Sequence, residues 1–296
     1  MMRQQLRRSL RQIAIHYPGL QRISGRLGVG RLLAPANTKE QIKIDGDITL
    51  ELDMSVPAFR YLYFHHDLSA EPETQLLRTL LRPTDVFVDV GAHIGVFALV
   101  AAKYAAAVHA FEISAATAER MRRNLALNPR LAEKVTMHAV GLGEQAGEMQ
   151  LYNSAGQPDL ASLRPLARDD AFCETVQVAT LDEQLAGTPV SWLKIDVEGG
   201  ELGVLRGATN HLAATHPWVL VEMFEPFQRR FGGSCAELDG FLAERDYQGY
   251  QLLQSKSSSG GPQLALLEIE KLDQVQVNNV LYVPPAQSLP AGMVAG

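Results

Sequence analysis

Apolar and polar residues alternate from Ile42 to Leu52 about an Asp45-Gly46 pair, which predicts a β-hairpin with one apolar side. Upstream the spacing is helical. Leu6, Leu10, Ile13, Tyr17 and Leu20 share one face of residues 1–20, and arginines fill most of the other. Residues 71–81 predict a short amphipathic helix ended by Arg82-Pro83. Beyond it the rhythm becomes strand, helix, strand, helix. Val86–Val90 predicts an apolar strand, Ile94–Tyr104 a helix, Val108–Phe111 a strand and Ala115–Leu127 a helix stopped at Asn128-Pro129. Val135–Val140 predicts the next strand, and short strands near Gly147–Tyr152 and Thr175–Ala179 form an insertion. Then come strand Trp192–Ile195, helix Glu201–Leu212, strand Trp218–Met223, a helix near Cys235–Arg245, and strands near Tyr250–Leu253 and Val280–Val283. Ser255–Gly261 reads as a surface loop between late strands. Alternation of this kind predicts a doubly wound α/β sheet, mostly parallel, with crossover helices. In such a sheet ligands bind beyond the carboxyl ends of the strands.

Composition narrows the class. Of 296 residues, 46% are hydrophobic and 20% charged, too apolar a balance for a disordered chain. No apolar run reaches the ~18 residues expected of a spanning helix. Cys173 and Cys235 make neither a disulfide framework nor a zinc site, which fits a reducing, cytoplasmic setting. The charge is unevenly placed. Residues 1–39 hold seven Arg and Lys39 with no acid, a charge of +8, so a chain of −6 leaves −14 for the remainder. The front end has no secretory h-region but shares its Arg-rich, acid-free character with organelle transit peptides. It is a candidate for peripheral membrane contact at an inner membrane face through residues 1–35, or for packing in a homodimer. The acidic body argues against a nucleic-acid partner.

Four loops carry candidate chemistry. In Asp89-Val-Gly91-Ala92-His93-Ile-Gly95 the glycines allow a sharp turn off a strand and close packing of the next helix. The spacing is Gly-x-x-x-Gly rather than the dinucleotide fingerprint. An acid at 89 would repel a pyrophosphate and suits a ligand bearing an ammonium group, such as the methionyl end of S-adenosylmethionine. Glu112 ends the second strand, where a carboxylate can accept ribose hydroxyls. Asp196 and Glu198 leave the strand that ends at Ile195; they are candidate proton acceptors and candidate ligands for a divalent ion such as Mg²⁺, or caps of the next helix. Glu201 reads as part of that helix's first turn. Glu222 ends the Trp218–Met223 strand and is a further candidate base, with capping as the alternative. Outside these loops, the aromatic run RYLYFHH, with His65 and His66, reads as core packing ahead of an acceptor wall. Arg164, in the insertion, is a candidate contact for a phosphate or carboxylate of the acceptor.

The stretches EPETQLLRTLLRPTDVFVDVGAHIGVFAL, FEISAATAERMRRNLALN, VGLGEQAGEMQLYNS, ATLDEQL, WLKIDVEGGELGVLRGA and NNVLYVP resemble the FkbM family of S-adenosylmethionine-dependent methyltransferases. The resemblance spans residues 71–283, and DVGAHIG followed by KIDVEGGE is its most specific part. It implies a class I, Rossmann-like seven-stranded fold preceded by an N-terminal helix and a hairpin. The chain then divides into a basic segment 1–39, a hairpin and aromatic extension 40–70, and a methyltransferase domain 71–296. It implies that Asp89, Gly91, Ala92, His93, Gly95 and Glu112 hold S-adenosylmethionine. It also implies methylation of a hydroxyl on a glycan, a polyketide or a related metabolite. His93 stands where the family often carries Asn, and Glu-Met-Phe-Glu-Pro after the fifth strand departs from a commoner Glu-Ile-His pattern, so no histidine base carries over there. Asp196, Glu198 and Glu222 remain the catalytic candidates. A nicotinamide-dependent oxidoreductase on the same kind of sheet, and a non-catalytic adenosyl-binding partner of a biosynthetic complex, stand as alternatives.

Overall fold

The computed structural model describes residues 38–56, 59–60, 62–63, 71–154, 157–165, 169, 171–256, 262–269, 279–285, 287–290 and 293–294, with the backbone alone at 157–162, 171, 254–256 and 262–263. The amphipathic helix expected in the basic front end, its membrane and dimer readings, and His65 and His66 lie outside the described residues.

The chain opens with a hairpin, β1 (Lys39–Ile44) and β2 (Ile48–Asp53), paired from Lys39↔Asp53 to Ile44↔Ile48. Asp45 and Gly46 both take positive φ, 47° and 84°, as the tight turn requires. Its apolar side, Ile42, Ile44, Ile48, Leu50 and Leu52, is buried. Two asparagines secure the hairpin's outer edge. Asn128 accepts from Thr49 N through Oδ1 (2.9 Å) and donates through Nδ2 to Thr49 O (2.7 Å), while Asn124 Oδ1 accepts from Glu51 N (2.8 Å). An edge strand satisfied in this way offers little template for pairing with another chain.

There follow α1 (Pro72–Leu80), β3 (Val86–Val90), α2 (Val96–Tyr104), β4 (Ala107–Phe111), α3 (Ala115–Ala126), α4 (Pro129–Ala132) and β5 (Val135–His138). The insertion supplies β6 (Gly141–Leu142), β7 (Gly147–Ser154), β8 (Gln157–Ser162) and β9 (Ala171–Ala179), then α5 (Leu181–Gln184). The chain returns through β10 (Trp192–Ile195), α6 (Glu201–Arg206), α7 (Thr209–Ala214), β11 (Trp218–Glu222), α8 (Glu225–Arg230) and α9 (Cys235–Ala243). It closes with β12 (Gln248–Lys256), β13 (Pro262–Glu268) and β14 (Asn279–Val283).

The main sheet has the order β13-β12-β14-β11-β10-β3-β4-β5. From β5 to β11 the strands are parallel, β14 runs antiparallel to both its neighbours, and β13 pairs antiparallel with β12. The fold is therefore the doubly wound α/β sheet expected, with one difference. It has eight strands rather than seven, β13 being added beyond β12 at the edge. The insertion makes its own sheet, β6-β9-β7-β8.

Central strands buried on both faces must be apolar nearly throughout. One core, with Phe87, Val108, Trp192 and Leu220, packs under the hairpin and α2; the other, with Val88, Val90, Leu193 and Val219, packs under α6 and α9. Trp192 and Trp218 stack at 5.1 Å across adjacent strands of the first. Tyr63 of the aromatic run, and Phe59 just before that run, are buried there too, so Tyr63 packs the core rather than lining an acceptor wall. Among the described residues no helix is long and apolar enough to cross a membrane.

Candidate active site

At the carboxyl ends of β3, β4 and β10, a cavity of about 350 Å³ opens between the sheet and the insertion. Val90, Gly91 and His93 line it from the end of β3 and the loop after it, Phe111 through Ser114 from the end of β4 and just beyond, and Val140 through Leu142 from β6 and the residue before it. Asp196, Val197, Glu198 and Gly200 close the far side, with Leu151 and Leu163 of the insertion as a further wall. Three of the four loops singled out in the sequence thus meet in one place, joined by the turn after β5. The fourth, after β11, does not line the cavity.

The loop after β3 is pinned to β4, because Gly91 N and Ala92 N both donate to Phe111 O, at 3.0 and 2.9 Å. Gly91 has φ +80°, and a Cβ there would lie 1.9 Å from the Asp196 carbonyl oxygen. Glycine at 91 therefore sets the approach of the β3 and β10 loops. Gly95 caps α2 at φ +85°; a Cβ there would come within 3.0 Å of Met121 Cγ, so it serves packing of α2 against α3. His93 takes φ +53° and lies 5.5 Å from the Phe59 ring. Ala92 is buried and does not line the cavity.

Asp89 falls elsewhere than the sequence suggested. Alternation along β3 turns Val90 to the cavity and Asp89 to the opposite face, where it is 0% exposed. Its carboxylate faces Lys194 Nζ at 3.5 Å, and burial raises its pKa. It lies outside the cavity's lining and faces Lys194 instead.

Glu112 lies just past β4 and lines the cavity. Its Oε2 accepts from His93 N (2.9 Å) and its Oε1 from Ser114 N (2.7 Å), so both oxygens are fixed and each keeps a further lone pair. Burial, opposed by these N–H donors and aided by the charge of Asp89, pushes its pKa up to about 7. Ser114 also caps α3, accepting from Thr117 N.

On the other side, Asp196 and Glu198 both line the cavity, Glu198 with φ +56°. Their capping reading is filled instead by Glu201, which is fully buried and accepts from Val197 N (3.0 Å) and Gly199 N (3.1 Å) while Gln228 Nε2 donates to its other oxygen. Lys194 was not anticipated. Its ammonium is buried, 3.3 Å from Asp196 Oδ2 and 3.5 Å from Asp89 Oδ1, and lies 4.7 Å from the Phe97 ring centroid. Those two carboxylates hold its pKa up against burial. A lysine in an otherwise apolar central strand is the signal that could have revealed it, since a buried cation needs a partner.

The donors do not fit a divalent ion. Asp196 already faces an ammonium, and among the described residues no group of three or more His, Cys, Asp or Glu side chains is placed to hold a metal. For an adenosyl cofactor they fit: a twice-anchored buried carboxylate at one end, apolar walls between, and two carboxylates at the other. Glu222 ends β11 behind this group. Burial, then the charges of Asp196, Glu201 and Glu198, push its pKa up to about 8.

A model of the FkbM methyltransferase domain matches residues 89–249. Methyltransferase sdnD of Sordaria araneosa is 26% identical over 225 residues, 64% of this chain and 83% of that protein. The crystal structure of methyltransferase FkbM from Methylobacillus flagellatus KT has a TM-score of 0.44 at 19% identity. The match covers 76% of this chain and 54% of that one, so the chain spans about half the length of that structure. Precorrin-6y C5,15-methyltransferase from Geobacter metallireducens GS-15 gives 0.40 at 12% identity, covering 71% and 84%.

Proposed function

Since the chain belongs to the FkbM methyltransferase family, matched over residues 89–249, we propose that it moves the methyl group of S-adenosylmethionine to a hydroxyl of a glycan or related secondary metabolite. The observation that carries this reading is one cavity with Glu112 at one end and Asp196 with Glu198 at the other.

S-adenosylmethionine supplies an activated methyl on a positively charged sulfur. Glu112 accepts the ribose hydroxyls through the lone pairs left beside its two N–H bonds. Phe111, Ile113 and Leu142 give the base an apolar slot. Asp196 and Glu198 complement the cationic sulfur, and one of them, Asp196 by preference, takes the proton of the attacking hydroxyl. Lys194 orients Asp196 through the 3.3 Å contact to its Oδ2. Residues 1–35 are proposed as a peripheral membrane contact, to be checked by flotation with and without them.

Calorimetry of the full chain tests the first half of the reading. Heat with S-adenosylhomocysteine and none with NAD⁺ is expected, and the reverse would return the nicotinamide alternative. Labelled cofactor with a panel of lipid-linked glycans, free sugars and polyketides tests the second. The product should carry a methyl ether, and a methyl on nitrogen or carbon would end the O-transfer reading. Asp196→Asn should cut turnover about 10²- to 10⁴-fold with little change in S-adenosylhomocysteine affinity. Unchanged turnover would remove Asp196 as the proton acceptor.

A further inference from the structure

Asn124 in α3 and Asn128 just after it both grip the outer edge of β2, but their remaining bonds differ. Asn128 turns back on the hairpin and its own helix: its Nδ2 donates to Thr49 O (2.7 Å) and to Asn124 O (2.7 Å). Asn124 is 0% exposed and reaches instead into the loop after β3. Its Nδ2 donates to Ile94 O (2.9 Å) while its Oδ1 accepts from Glu51 N (2.8 Å). These partners fix which way the amide points, since Glu51 offers an N–H there and Ile94 a carbonyl.

Ile94 sits between two fixed points of that loop. His93 N donates to Glu112 Oε2 at 2.9 Å, and Gly95 caps α2 at φ +85°. The His93 amide is one of two donors that aim Glu112 into the cavity; the other, Ser114 N, stands at the start of α3. One helix therefore holds Glu112 from its first residue and, about three turns on, the facing loop from Asn124. Phe59, in the chain after the hairpin, adds a ring contact to His93 at 5.5 Å. Glu51 and Phe59 both lie upstream of residues 89–249, the stretch that the family model matches.

We propose that Asn124 is a positioning residue for the cofactor. It couples the hairpin to the loop after β3, so that the extension ahead of the methyltransferase domain sets the affinity for S-adenosylmethionine. This rests on the reading of Glu112 as the ribose acceptor. Without the Asn124 amide the buried Ile94 carbonyl loses its donor, the loop shifts to recover one, and His93 N leaves Glu112.

Asn128→Ala is the control, because Asn128 grips the same strand without the bond to Ile94. Calorimetry of the full chain with S-adenosylhomocysteine should show affinity falling about tenfold or more in Asn124→Ala, and staying within about threefold of native in Asn128→Ala. Affinity unchanged in Asn124→Ala, or lost equally in both variants, would overturn the coupling. Without ligand, hydrogen exchange at the His93 amide should quicken about threefold or more in Asn124→Ala alone. Equal rates in the native chain and that variant would likewise overturn it. Should Asn124→Ala fail to fold, the native chain decides. There S-adenosylhomocysteine should protect the Glu51 amide more than the Thr49 amide, and equal protection would end the proposal. A native chain that binds no S-adenosylhomocysteine would strike the Glu112 reading instead, and ligand-free exchange at His93 would still judge Asn124.

Discussion

Burial lifts Glu112 to about 7 and Glu222 to about 8, so both change charge across the range in which activity would be assayed. For Glu112 the consequence falls on ligand binding. Protonation converts one acceptor oxygen into a donor, leaving fewer lone pairs for two ribose hydroxyls. S-adenosylhomocysteine affinity should therefore rise between pH 6 and pH 8 as Glu112 ionises through about 7. Glu112→Gln should bind weakly at every pH, by about tenfold to a hundredfold, as when a charged hydrogen-bond partner is lost. A flat calorimetric profile in the native chain would refute the ribose role. Glu222 does not line the cavity, so its titration is read in stability. Its folded pKa lies above the ordinary 4.5, so the neutral form is favoured in the fold. The associated stability is complete below 4.5 and is lost as pH rises through about 8. Urea unfolding at several pH values should show this decline and its flattening in Glu222→Gln. A third expectation concerns metal: because Lys194 already faces Asp196, EDTA should leave turnover unchanged, and a loss restored by Mg²⁺ would contradict it. Most of these residues were legible in the sequence, since an acid or glycine just past an apolar strand marks a strand-end loop. Asp89 was placed on the wrong side, because proximity to a glycine loop says nothing about which face a strand residue takes. Its neighbour Val90 holds the cavity face, and alternation does the rest.

At the level of elements, the site is made by two loops in contact rather than by either alone. The Cβ of an alanine at 91 would overlap the Asp196 carbonyl, and φ +80° is itself strained for any residue but glycine. Gly91→Ala should cost about 1–3 kcal/mol from backbone strain alone and more from the clash, and should abolish S-adenosylhomocysteine binding. Calorimetry and chemical unfolding on the same preparation would separate the two losses. Native-like binding would mean that the β3 and β10 loops can part without harm. Gly207 explains why the predicted Glu201–Leu212 helix is two. Its Cβ position lies 2.0 Å from Gly143 O, so the chain breaks where β6's following turn crosses it, and α7 starts afresh at Thr209. That crossing is a tertiary contact, invisible to helical periodicity. Similarly β13 was missed because Leu264, Leu266 and their neighbours follow a Ser- and Gly-rich run that reads as loop. The strands of the central sheet were legible because burial on both faces leaves an uninterrupted apolar signature.

Across the whole molecule, the −14 of residues 40–296 is surface charge for the most part, but one balance is internal. Asp89 on β3, Lys194 on β10 and Asp196 beyond β10 form a chain of charges across neighbouring parallel strands. The hairpin core, α2 and Phe97 cover it, which keeps water from Asp89 altogether. A pair buried this way adds little to stability relative to apolar residues of the same shape, but losing one member leaves a buried charge without compensation. Lys194→Met should therefore destabilise the fold by about 3–5 kcal/mol. Adding Asp89→Asn removes the orphaned charge, so the double variant should regain most of that loss in urea unfolding. Turnover should not return with stability, because Asp196 in the double variant still lacks the ammonium that orients it. Recovery of both together would mean that Lys194 serves the fold alone. If the double variant proves as unstable as Lys194→Met, packing against Phe97 rather than charge is what the lysine contributes.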